Sequence, residues 1–246
     1  MDDVTPTPDD QAVATRLAAL AGQYGLPDAA ASQMQRLLEL VQASHHSLTA
    51  VREPRVGVEV HVADSLVGLR VEALRSAQVI ADLGSGAGFP GLVLAIALPG
   101  ARIALVESVG KKAGFLQEAA DDLGLGNVEV VSGRAEDWVA GREACDVITA
   151  RALARLDVLL EYAAPLLRPA GALVAWKGNR DKGEETGAWK AAAVLGMEAP
   201  VPTPVPGPDG SARHLYLSRK LRSTPPEYPR RAGMAAKRPL GTSSRT

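Results

Sequence analysis

The stretch Asp82-Leu83-Gly84-Ser85-Gly86-Ala87-Gly88-Phe89-Pro90-Gly91 gathers the residue types in this chain best able to hold a ligand. Its closely spaced glycines open backbone conformations closed to other residues and let a ligand approach the main chain. Asp82 places a carboxylate at the head of the loop, where it would repel a pyrophosphate and attract an ammonium group. Glu107 lies at the end of the next apolar run, and a carboxylate there can accept hydrogen bonds from both hydroxyls of a ribose. The segment Ser132-Gly133-Arg134-Ala135-Glu136-Asp137 adds a third acidic cluster. Arg151 ends a fourth run, where its guanidinium can pair bidentately with a carboxylate. Three readings of the loop compete: a ligand-free strand-to-helix turn, a dinucleotide site, and a site for an adenosyl ligand with a cationic end. The dinucleotide spacing G-x-G-x-x-G is met formally by Gly86, Gly88 and Gly91, but counted from Gly84 its third glycine would be Phe89.

These residues need a scaffold that brings strand ends together. From Ala77 onward short apolar runs alternate with helical patterns. Strands are predicted at 79–82, 102–107, 128–131, 146–150 and 171–176, with helices at 89–98, 111–123 and 153–167 and another near Trp189. Residues 214–218 alternate as an antiparallel edge strand would. The fold class is therefore α/β, a doubly wound, mostly parallel sheet whose ligands lie at the carboxyl ends of its strands. Ahead of it, residues 12–76 read as a helical extension. One helix runs from Val13 to Tyr24 and is closed by Gly25; a second starts behind Asp28 as N-cap; a third spans Arg55 to Arg75, with His61 and Asp64 one turn apart as a helix-local pair. Residues 1–11, with Thr-Pro-Thr-Pro and four aspartates, read as a disordered lead-in. The unit carrying the loop is assigned 77–220, and 221–246 a basic tail.

At 246 residues, with 46% hydrophobic and 22% charged residues, the chain has the balance of a soluble globular protein. The acidic start, Met1-Asp2-Asp3, is unlike a secretory signal, and the longest apolar run is too short to span a bilayer, so a cytoplasmic location is expected. Cys145 is the only cysteine, which excludes an intrachain disulfide, and no Cys/His spacing suits a metal; no metal is expected. The net charge of −1 conceals an asymmetry. From Arg219 onward eight basic residues face one acid, Glu227, which leaves +7 on this segment and −8 on the rest. Such an end-loaded positive segment is either a solvated tail or a phosphate-binding one.

The D-x-G-x-G-x-G pattern with Glu107 behind it looks like the S-adenosylmethionine loop of class I methyltransferases. Amino-nitrogen methylases of bases resemble one another in an Asn/Asp-Pro-Pro-aromatic motif after strand four, and cytosine-carbon methylases need a cysteine nucleophile. Here Asp146-Val147-Ile148-Thr149-Ala150-Arg151-Ala152 has neither, and Cys145 lies at the far end of that strand. Guanine N7 suits such a site, because its lone pair needs no deprotonation and alignment alone supplies much of the catalysis.

The chain resembles the ribosomal RNA small-subunit methyltransferase G family, also called glucose-inhibited division protein B, from about Ser47 to Leu240. The matching pieces are Leu48-Thr49-Ala50-Val51-Arg52, His61-Val62-Ala63-Asp64-Ser65-Leu66, Gly88-Phe89-Pro90-Gly91 and Gly110-Lys111-Lys112 with Phe115-Leu116. Later come Arg134-Ala135-Glu136, Ala150-Arg151-Ala152, Trp176-Lys177-Gly178, and Pro226-Glu227-Tyr228-Pro229-Arg230-Arg231 with Lys237-Arg238-Pro239-Leu240. The resemblance implies a Rossmann-like class I methyltransferase acting on N7 of one guanine of 16S ribosomal RNA near the decoding region. It implies that Gly84, Gly86 and Phe89 line the cofactor loop, that Glu107 holds the ribose, that Ala135 and Glu136 contact the adenosine, and that Arg151 faces the methionine end. Lys177, Arg230, Arg231 and Lys237 are the expected RNA contacts, Lys177 being placed equally to reach the cofactor carboxylate, and 16S RNA or the small subunit the expected partner of a monomer. Two departures stand out: Ser47 replaces the usual Asn before Leu-Thr-Ala, and Glu107 a more usual Asp, which keeps a ribose acceptor on a longer reach. An oxidoreductase using a nicotinamide nucleotide and a scaffold that binds cofactor without turnover remain as alternatives.

Overall fold

The computed structural model describes residues 7–45, 48–51, 53–207 and 210–242. Ser47, Arg52, Arg245 and the first six residues of the expected lead-in lie outside these.

Helix α1 spans Pro8–Tyr24, starting earlier than its apolar pattern suggests. Thr7 and Asp10 form a capping box: the Thr7 hydroxyl accepts the Asp10 N–H at 3.2 Å and the Asp10 carboxylate accepts the Thr7 N–H at 3.0 Å. The part of the lead-in between Pro8 and Gln11 is thus helical. Gly25, at φ 62°, closes the helix as its position predicts. Helix α2, Ala30–Ala43, follows without the Asp28 cap: Ala29 is the N-cap and the Ala30 N–H bonds to the Pro27 carbonyl instead.

The third predicted helix is broken. Residues 54–75 form short pieces: Pro54–Gly57, a π-helical stretch Val58–Ala63, Asp64–Leu66, a 3-10 turn Val67–Arg70, and Glu72–Arg75. Val56, Val58, Val60 and Val62 are β-branched and disfavour regular helix. Gly68 is required by packing, because a Cβ there would lie 2.5 Å from the Trp176 ring.

The sheet has seven strands in the order β3-β2-β1-β4-β5-β7-β6. β1 (Val79–Leu83), β2 (Arg102–Glu107), β3 (Val128–Ser132), β4 (Cys145–Arg151) and β5 (Leu167–Lys177) are parallel. β7 (Ala212–Arg219) runs antiparallel to β5, and β6 (Val201–Pro206) antiparallel to β7. The segment expected at the edge is therefore interior, and the true edge went unread because its sequence is Val-Pro-Thr-Pro-Val-Pro. Proline is confined to sheet edges, and prolines at alternate positions fall on one side of the strand, the side whose missing N–H can face away from the sheet.

Strand alternation divides the core. Ile80, Ile103, Leu105 and Val147 pack on one face under α1, α2, the broken segment, α3 (Gly91–Ala97) and α4 (Gly110–Asp122). Ala81, Leu83, Ala104 and Ile148 pack on the other, under α5 (Leu156–Ala163) and α6 (Lys182–Leu195). The N-terminal helices therefore share the sheet's own core.

The basic C-terminal segment also folds back. Tyr228 and Leu240 pack against the second core, and Ala235 is buried. Arg230 donates through Nε and Nη2 to Glu161, whose carboxylate is 1% exposed, and through Nη2 to the Arg238 carbonyl. Lys220 is buried too, its Nζ on the Leu167 carbonyl and on Glu143. Arg230, expected at RNA, is instead a clamp. Removing one partner of a buried pair costs about 3–5 kcal/mol, and with Arg230 24% exposed Arg230→Gln should lie at the low end. Urea unfolding should show a lower midpoint at unchanged slope; an unaltered midpoint would return Arg230 to the free surface.

Candidate functional site

All the expected cofactor residues meet at the carboxyl edge of the sheet. Past Leu83 the loop holds Gly84, Gly86 and Gly88 at φ 67°, 58° and 93°, conformations that favour glycine. The N–H groups of Gly84 and Ser85 bond to the Val106 carbonyl at 2.8 and 3.3 Å. Glu107 accepts the Gly86 N–H at 3.0 Å on Oε2 and the Val109 N–H at 2.8 Å on Oε1. Each oxygen retains acceptor capacity, so this buried carboxylate can still take a diol.

Asp82 is not the ammonium partner its position suggests. It is 1% exposed, with Oδ1 accepting from the Thr149 hydroxyl at 2.9 Å and Oδ2 from the Gly91 N–H at 3.2 Å. Burial pushes its carboxyl up to about 6 against these bonds and the nearby Arg151. Asp82 thus fastens the loop to β4. A Cβ at Gly91 would come 2.3 Å from Leu105 and 2.8 Å from Asp82 Oδ2, so this glycine is required for packing.

On the β2–β3 side, Gly84, Gly133, Ala135, Glu136, Leu153 and Tyr162 help enclose a narrow cavity of about 80 Å³. The 3-10 turn Ala135–Asp137 forms one wall. The Glu136 carboxylate, expected on the adenosine, is engaged by the Gly233 N–H at 2.8 Å, which docks the C-terminal segment onto this turn. Leu153, which the sequence did not single out, lies over Gly84, where an added Cβ would be 2.5 Å from its Cδ1. The exposed Leu153 side chain narrows this cavity.

On the β4–β5–β7 side lies a larger cavity of about 340 Å³, lined by Val60, His61, Asp64, Arg151, Trp176 and Arg213 among others. Arg151 Nη1 donates to the Val60 carbonyl at 2.8 Å and to Asp64 Oδ2 at 2.9 Å, and its guanidinium lies 5.6 Å from the centre of the Phe89 ring. The expected His61–Asp64 pair does not form, because the π-helical stretch turns Asp64 to Arg151. His61 stacks on Phe89 at 4.5 Å and 9°, with Nε2 3.0 Å from the Thr49 hydroxyl. Ala152, at φ 55°, carries the chain sharply from one cavity to the other. Trp176 floors the site and donates Nε1–H to the Asp64 carbonyl at 2.7 Å.

Of the expected RNA contacts, Lys177 is held by Glu184 at 2.7 Å and the Ala154 carbonyl at 3.2 Å, and Arg230 by Glu161. Arg231 and Lys237 are exposed, with no ion pair among the described residues. Cys145 is buried at the opposite strand end and its thiol is pushed up to about 12 by burial, so it is no nucleophile. Among the described residues no cluster of three or more His, Cys, Asp or Glu is placed for a metal, and no helix is long and apolar enough to cross a membrane.

Burial, then the Arg151 charge, lowers the His61 imidazole to about 4. The unfolded chain, at the ordinary 6.5, takes a proton first, so His61 withdraws stability as pH falls from about 6.5 toward 4. Its ring resonances should stay those of neutral imidazole at pH 5.5 and move only near 4. A midpoint near 6.5 would mean that the ring is hydrated and unstacked.

Comparison with known proteins agrees with this geometry. The family model described as rRNA small subunit methyltransferase G matches residues 30–214. A protein of that name from Rubrobacter xylanophilus is 45% identical over 201 residues, covering 79% of this chain and 77% of its own. One from Chloroflexus aggregans is 42% identical over 214 residues, covering 85% and 90%. Among solved structures, a SAM dependent methyltransferase from Aquifex aeolicus superposes with a TM-score of 0.53 at 19% identity, covering 67% of this chain and 93% of that one. Cofactor-bound Rv0187 from MTB gives 0.52 at 17%, covering 88% and 98%. At these identities the structures share the fold alone. With the family model spanning most of the chain and relatives above 40% identity, the chain belongs to the ribosomal RNA small subunit methyltransferase G family.

Proposed function

We propose that the protein is an S-adenosylmethionine-dependent methyltransferase acting on N7 of a guanine in 16S ribosomal RNA, as a monomer in the cytoplasm. One observation carries the reading: the loop pinned to Glu107 and the guanidinium of Arg151 stand at neighbouring ends of β2, β1 and β4, with a cavity beyond each. An adenosine end suits the Glu107 side and an amino-acid end the Arg151 side, where Nε and Nη2 make no hydrogen bond among the described residues. The family's relatives bear the small-subunit RNA methyltransferase name, which supports the substrate.

When bound, S-adenosylmethionine supplies an electrophilic methyl group on a sulfonium. Gly84, Gly86 and Phe89 shape the loop that receives it, Glu107 accepts from the ribose, Ala135 and Glu136 border the adenine, and Arg151 orients the carboxylate. The Phe89–His61 stack and Trp176 keep water from the reacting edge. No residue has to remove a proton, because N7 offers a free lone pair; catalysis is alignment and electrostatics. Arg231 and Lys237 supply charge for the RNA backbone.

Mapping of 7-methylguanine in 16S RNA should find one site that disappears when the protein is deleted. Gly84→Val, with a branched side chain at φ 67°, should abolish cofactor binding in calorimetry while circular dichroism stays native. Stabilisation by NAD instead of S-adenosylmethionine would transfer the reading to an oxidoreductase. Changing Arg231 and Lys237 to Ala should lower the logarithmic salt slope of RNA binding by about one to two units with cofactor affinity intact. An unchanged slope would remove both from the interface.

A further inference from the structure

Two buried polar atoms beside the larger cavity have no hydrogen-bond partner within the protein: His61 Nδ1 and Asp64 Oδ1. Buried polar groups are nearly always satisfied, so two orphans at one site mark where a ligand's polar atoms belong. Both residues line the cavity from the broken helical segment that precedes the sheet. The Thr49 hydroxyl accepts the Val51 N–H at 3.1 Å and lies 3.0 Å from His61 Nε2; with its own proton directed to Nε2, the imidazole N–H is at Nδ1. Asp64 is flanked by two guanidiniums: Arg151 bonds Oδ2, while Arg213 Nε stands 3.7 Å from Oδ1, beyond a hydrogen bond. In that tautomer the site offers one donor beside one acceptor.

We propose that this cavity receives the target guanine beside the cofactor's amino-acid end, which stays on Arg151, and that His61 and Asp64 read the base's identity, the imidazole N–H donating to O6 and the carboxylate Oδ1 accepting from N1–H and the 2-amino group. Guanine presents acceptor then donors along that edge; adenine presents an amino donor then the N1 acceptor, so both contacts become clashes of like polarity. The volume of about 340 Å³ admits a purine taken out of its stack. The same contact assists the reaction: methylation of N7 moves positive charge into the purine and makes N1–H a stronger donor, so a carboxylate on it holds the transition state more tightly than the ground state. The low pKa of His61 keeps it neutral, hence with a single donor, across physiological pH.

This inference rests on the proposed N7 reading, and the test separates the two. The substrates are small subunits reconstituted with 16S RNA carrying guanine, inosine or adenine at the modified position. Asp64→Asn can keep its amide oxygen on Arg151 while turning an NH2 donor toward guanine's own donors. His61→Phe keeps the stack on Phe89 and deletes the N–H. In the wild type, inosine, which lacks only the 2-amino group, should lower kcat/KM about 10- to 100-fold and adenine further. Each variant should lose a similar factor on guanine, mainly in kcat, with S-adenosylmethionine binding retained by calorimetry. In Asp64→Asn the additional loss on inosine should nearly vanish, which a merely structural role would not produce. An Asp64→Asn variant whose guanine-to-inosine ratio equals the wild type's would overturn base reading while leaving the methyltransferase assignment standing. Equal wild-type rates on all three bases would do so without any variant, and a wild type that forms no 7-methylguanine would overturn both.

Discussion

The ion pair between Arg151 and Asp64 joins two parts of the chain that local structure alone would leave apart. Arg151 ends β4, and Asp64 belongs to the broken helical segment that precedes the sheet. By holding Asp64 and the Val60 carbonyl together, one guanidinium closes the wall of the larger cavity. The pair stabilises little by itself, since desolvation offsets much of its attraction. What it contributes is position: His61 is brought against Phe89, and Trp176 is locked beneath through the Asp64 carbonyl.

A second set of contacts works from the opposite side. Glu161 and Glu136, both buried, draw the C-terminal segment across α5 and onto the Ala135–Asp137 turn through Arg230 and Gly233. Carboxylates that would each be costly to bury alone are matched by a segment rich in donors. The positive charge of this segment therefore has two destinations: Lys220 and Arg230 are spent on the fold, whereas Arg231 and Lys237 remain at the surface. Net charge counted along a sequence cannot make that division.

The glycine loop shows how closely binding and packing are combined. Gly84 and Gly86 take positive φ to shape the ligand side, but Gly91 is glycine because Leu105 and Asp82 fill the space its Cβ would need. Asp82 shows the same economy, its charge turned inward to tie the loop to Thr149 instead of outward to a ligand. The shape of the loop and its packing thus depend on one another.

The strands at β1, β2 and β4, the loop and the carboxylate at Glu107 were legible in the sequence because period-two alternation and glycine spacing are local signals. The residue motifs likewise pointed to the family. The proline-rich edge β6 escaped for the same reason: its alternation is overwritten by residues that normally end strands. Which partner each charged side chain takes was beyond local reading. His61 and Asp64 are three apart, and spacing alone pairs them; only the π-helical stretch and the approach of β4 give Asp64 to Arg151 and leave His61 to Phe89 and Thr49. Arg230 reads as a free cation until Glu161, far away in sequence, is seen beneath it. The sequence determined the scaffold and the chemistry placed on each strand end, because those depend on neighbours along the chain. The tertiary structure decided which charges are spent on the fold and which face the cavities, because burial and pairing depend on neighbours in space.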